Sequence, residues 1–122
     1  MTEAEVIEAI GIHGGNAMSA FTVYITFTFG FLMAAYFVGS KLTSFQTAVS
    51  GGLYSIAAGA AGLAQIVFLQ VMFAAKKSTP TVADNLLVLN EAFWVWSMSI
   101  LQIAGILVSL YFMWNVRHAG GE

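Results

Sequence analysis

Ten residues of this chain carry a formal charge, six acidic and four basic, and they leave three long stretches with none. No Asp, Glu, Lys or Arg lies between Glu8 and Lys41, between Lys41 and Lys76, or between Glu91 and Arg117. Each stretch exceeds the ~20 apolar residues with which an α-helix crosses ~30 Å of hydrocarbon. The expected fold is therefore all-α: an integral membrane three-helix transmembrane bundle. Residues 1–122 form a single transmembrane domain, with spans at about 17–38, 48–75 and 92–115. Charged residues make up 8% of the chain and its mean hydropathy is +0.83. A soluble domain carries about a quarter charged residues, so a water-soluble globule is excluded.

The same composition narrows the function. A net charge of −2 with only four basic residues leaves no basic patch, which excludes nucleic acid as a partner. Cysteine is absent, and with it disulfides, thiolate metal sites and cysteine nucleophiles. The start, Thr2-Glu3-Ala4-Glu5-Val6-Ile7-Glu8, is acidic where a signal peptide needs a basic region. The expected location is the bacterial inner membrane, multi-pass. The Lys/Arg residues divide two and two between the sides. Acids before the first span and Lys41 after it favour the N-terminus outside and the C-terminus cytoplasmic.

Local signals place the helix ends. Thr2 and Glu5 have capping-box spacing, Val6, Ile7 and Ile10 share a face, and Gly11 is a stop signal. A short interfacial N-terminal helix over residues 2–10 is therefore expected, followed by a break at His13-Gly14-Gly15-Asn16. The first span ends at Gly39-Ser40-Lys41, and Thr43 with Gln46 repeats the capping spacing where the second helix begins. That helix is longer than a bilayer requires, and is expected to tilt or to project at its Gln46–Gly51 end. Thr81 and Asp84 suggest a third helix starting near Val82, after the turn signal Ser78-Thr79-Pro80. Trp94 and Trp114 are twenty residues apart, about 30 Å along a helix, which suits two interfacial aromatic belts and puts Gln102 and Gly105 near the midplane.

Each span also carries small or polar residues at three- and four-residue steps: Ser19, Thr22, Thr26, Phe29 and Met33; Gly51, Ser55, Ala58, Gly62, Gln65 and Leu69; Met98, Gln102, Gly105, Ser109 and Phe112. Helices in lipid associate by close backbone approach and cross-helix hydrogen bonds, so these stripes read as packing seams. Gly51/Ser55, Ser55/Gly59 and Ala58/Gly62 make the second helix the expected centre of the bundle. Its small faces serve packing within the chain or docking of a second chain. Gln65 and Gln102 lie at similar depth, and an unpartnered amide there is costly, so a bond between them is expected. The alternative is a pore or pocket lined by Thr22, Thr26, Gln65 and Gln102, although threonine hydroxyls readily bond their own helix.

Catalytic chemistry has little to work with. His13 and His118 fall beyond the spans on opposite sides and cannot share one haem, and no carboxylate sits at membrane depth. No catalytic, cofactor-binding or metal-ligating residue is assigned, and no cofactor is expected. The segment Tyr36-Phe37-Val38-Gly39-Ser40-Lys41-Leu42-Thr43-Ser44-Phe45-Gln46 resembles the first-span exit of short, uncharacterised three-span inner-membrane proteins of bacteria. That resemblance implies an inner-membrane location and no activity. The expected function is non-enzymatic: helix–helix association in the lipid bilayer, as a homo-oligomer or as an accessory subunit of another membrane protein. The alternative is a small oligomeric channel or transporter.

Overall fold

A computed structural model of the chain describes residues 2–78 and 91–119. These form three long helices: α1 (Glu3–Val38), α2 (Ser44–Ser78) and α3 (Glu91–Ala119). A 3-10 turn, Gly39–Lys41, joins the first two. All three helices are long and apolar enough to cross a membrane. The expected cap at Thr81 and Asp84, the helix start near Val82 and most of the turn at Ser78-Thr79-Pro80 lie outside the described residues.

α1 is a single helix, which corrects the expected short N-terminal helix and break. The capping box forms: Thr2 Oγ1 accepts from the Glu5 amide at 3.2 Å, and the Thr2 amide donates to the Glu5 carboxylate at 3.2 Å. The helix then runs straight through Gly11 and His13-Gly14-Gly15-Asn16. Glycine in a helix costs about 1 kcal/mol relative to alanine. An interruption would instead strip several backbone groups of partners among apolar neighbours. Gly14 is also used for contact, since a Cβ there would lie 3.2 Å from Met72 Sδ of α2.

The α1–α2 corner forms as its sequence suggests. Leu42 N donates to Gly39 O at 3.3 Å, closing the 3-10 turn. Thr43 and Gln46 then cap α2 reciprocally, at 2.9 and 3.1 Å. Gly39 is needed for proximity rather than for an unusual φ: a Cβ would meet Met113 Sδ at 3.2 Å and Val116 Cγ1 at 3.3 Å of α3. Arg117 donates to the Leu42 carbonyl at 3.4 Å, tying the end of α3 to the corner. At the opposite end Lys77 pairs with Glu91 at 3.2 Å. The chain therefore runs up, down and up, with α2 antiparallel to both neighbours.

α1 and α2 make the most extensive pairing, and α3 closes the trio. At its Gln46–Gly51 end α2 packs against α3. That end is flush with the corner and with the end of α3, where Gly51 faces Leu110.

The core differs from expectation on one helix. Ser19, Thr22, Thr26, Phe29 and Met33 of α1 are exposed, and Phe29 retains 64% of its surface. The buried face of α1 is Val6, Ala17, Tyr24, Phe31 and Ala35. Ala17, Tyr24 and Phe31 recur every seventh residue, the period that keeps one face against a neighbouring helix. The α2 and α3 seams do turn inward: Ala58, Gly62, Gln65, Leu69, Gln102 and Ser109 are buried.

Candidate functional site

The chain's buried side-chain amides meet half-way along the helices. Gln102 Nε2 of α3 donates to Gln65 Oε1 of α2, and the two residues retain 5% and 3% of their surface. Tyr24 of α1 completes the junction, its hydroxyl donating to the Gln102 backbone carbonyl at 2.7 Å. Three helices are thus tied at one level by one side chain from each. A carbonyl has two lone pairs, so Gln102 O accepts the tyrosine without giving up its helical bond.

Two glycines make room for this junction. A Cβ on Gly62 would lie 2.6 Å from Gln102 Oε1, and one on Gly105 would collide with the Tyr24 hydroxyl. Their role is close approach: the backbone is helical at both positions. One layer toward the corner, Tyr54 and Thr28 share a hydrogen bond at 2.8 Å, and Tyr54 stacks on Phe31 with ring centres 4.4 Å apart. The Ser55 and Ser109 hydroxyls turn back to the Gly51 and Gly105 carbonyls, at 2.8 and 2.7 Å.

The expected site residues therefore separate into groups. Gly51, Ala58, Gly62, Gln65, Gln102, Gly105 and Ser109 serve packing inside the chain. Gly59 does not: no atom of a neighbouring element lies within 4 Å of a Cβ built there. It floors an open groove of about 230 Å³ between α2 and α3, walled by Leu63, Ile66, Ser99 and Ile103. Thr22 and Thr26 lie on the exposed face of α1 and donate to the Met18 and Thr22 carbonyls at 2.9 and 2.8 Å. Within one chain they do not come together with Gln65 and Gln102.

Tyr24 and Tyr54 are the residues that sequence reasoning missed. Both are aromatic, and in so apolar a chain an aromatic residue does not mark which face turns inward. The available signal was the hydroxyl: once buried in the middle of a helix it needs a partner, and a neighbouring helix supplies one.

The histidines are far apart. His13 stacks against Phe68 (6.4 Å) near the start of α1, and His118 stacks on Trp114 (4.3 Å) near the end of α3. Among the described residues no group of three His, Cys, Asp or Glu gathers that could hold a metal. No family model, curated protein or solved structure matches this chain.

Proposed function

We propose that this chain is a non-enzymatic integral membrane protein, a transmembrane three-helix bundle of the bacterial inner membrane with its C-terminus cytoplasmic. Its work is helix–helix association, as a homo-oligomer or as an accessory subunit. The observation that supports this is a second, unused small-residue face on α2. Gly52, Ile56, Gly59, Leu63 and Gln70 share one side at helical spacing. Gly52 and Gly59 have open space where a side chain would be, Ile56 and Leu63 retain 72% and 69% of their surface, and Gln70 is an exposed amide in line with them. The inner face of α2 is consumed by α1 and α3, whereas this face lies open along the edge of the α2–α3 groove. Small residues let backbones approach, and an amide supplies the cross-helix bond that lipid cannot.

Gly59 is also the position where association is separable from folding. Gly59→Leu fills open space, whereas Gly62→Leu strikes the Gln102 amide and damages the bundle itself. The expected outcome is that Gly59→Leu inserts and keeps its helicity but associates at least tenfold more weakly, read by energy transfer between labelled chains in liposomes. Unchanged association in both Gly59→Leu and Gly52→Leu would overturn the assignment.

A further inference from the structure

A second cavity, of about 310 Å³, opens beside the polar junction at the Trp94 end of the three helices. It has about twice the volume of the ~150 Å³ protein cavity known to hold benzene. Three methionines, Met18, Met72 and Met98, and the indole of Trp94 form much of its wall, and Gln65 supplies an amide. Gly14 keeps it open on the α1 side, since a side chain there would grow toward Met72 Sδ. Met18 retains 65% of its surface and Trp94 37%, so the opening lies between α1 and α3.

The chemistry of the wall specifies an occupant. Thioether sulfurs and an indole favour flat aromatic rings. Among the described residues no Asp, Glu, Lys, Arg or His lines the cavity, and a neutral occupant suits this wall. Gln65 has its carbonyl engaged by Gln102, while no described residue accepts from its amide nitrogen. What this 97%-buried side chain offers the cavity is therefore N–H donors.

We infer that this cavity binds a neutral aromatic or quinonoid ring bearing a carbonyl oxygen, which accepts from the Gln65 amide while the ring lies among the methionines and Trp94. A lipophilic molecule of this kind reaches the opening from within the bilayer. The inference rests on the membrane reading above but not on association.

The test uses the full chain with Trp96→Phe and Trp114→Phe, which leaves Trp94 as its one tryptophan of the original three. The protein is placed in lipid nanodiscs and titrated with 2-methyl-1,4-naphthoquinone. The expected result is saturable quenching of Trp94, unchanged when Gly59→Leu is added, with naphthalene competing at least tenfold less well. Gln65→Met should weaken binding about tenfold, and Gly14→Leu should abolish saturation. Quenching that rises linearly without saturation would overturn the site. Naphthalene competing as well as the quinone would overturn the role of the amide. Both outcomes are read on the fold without a cavity substitution, so a misfolded Gly14→Leu protein cannot decide the matter.

Discussion

At the scale of single residues, the junction of Tyr24, Gln65 and Gln102 shows how few polar groups are needed to fix three apolar helices in register. Gln102→Leu leaves the Gln65 amide buried without its partner, at an expected cost of about 1–3 kcal/mol. Adding Gln65→Leu should recover much of that loss, because the orphaned group is then gone. Unfolding measured in mixed micelles checks this, and strictly additive costs would mean that the amides do not couple. Gly105 offers a sharper case. Gly105→Ala pushes on the Tyr24 hydroxyl, but in a Tyr24→Phe background the nearest atom is the ring carbon at 3.4 Å, an ordinary contact. The alanine should therefore be clearly less destabilising in Tyr24→Phe than in the unaltered chain. The pairing of Gln65 with Gln102 was legible from depth alone. The contribution of Tyr24 was not, because nothing in an apolar helix marks which aromatic faces inward.

At the scale of elements, the caps were the most readable features. Thr2 with Glu5 and Thr43 with Gln46 both form reciprocal boxes at the spacing that announces them. Thr43→Ala should cost about 1 kcal/mol, measured as a shift in the same unfolding assay. The glycines of α1 were read wrongly because glycine is a local break signal, whereas the packing of this stretch on α2 is not local. Here Gly14 and Gly15 sit inside an unbroken helix with different surroundings. Gly15 has open space where its Cβ would be, whereas Gly14 faces Met72 Sδ at 3.2 Å. Gly15→Ala should thus stabilise the protein by up to about 1 kcal/mol. Gly14→Ala should give less, and a larger gain at Gly14 would contradict the packing of α1 on α2. Gly39 is the stricter site, because the Val116 methyl that it faces belongs to a stiff β-branched side chain.

At the scale of the whole molecule, the three helices hold together by close contact rather than by charge. Lys77 and Glu91 link α2 to α3, but the lysine is 75% exposed, and such pairs are worth about 0–1 kcal/mol. Lys77→Ala should accordingly shift stability by less than about 1 kcal/mol, a difference that vanishes in high salt. The up-down-up path makes a topological prediction as well. The chain has no cysteine, so single cysteines can be introduced without background. A membrane-impermeant thiol reagent should reach positions 3 and 77 from one side of a sealed vesicle, and positions 41 and 118 only from the other. Labelling of 3 and 41 from the same side would contradict the three-span reading.

The charge pattern and the capping pairs were enough to establish three long apolar helices and the corner between the first two. Those properties depend on local chemistry: an uncharged run, a capping pair, a glycine before a lysine. Which face of each helix turns inward depends on neighbours, and here the pattern carried unequal information. On α2 and α3 the glycines and glutamines mark the inner face, because an amide or a bare backbone gains most from contact with protein. On α1 the threonines misled, since their hydroxyls are satisfied by the helix that carries them and place no demand on a partner. Tyr24 turns inward instead, because Gly105 leaves a space that its hydroxyl fills and the Gln102 carbonyl lies 2.7 Å away. That choice is made between helices distant in the chain, and it is set only when they pack.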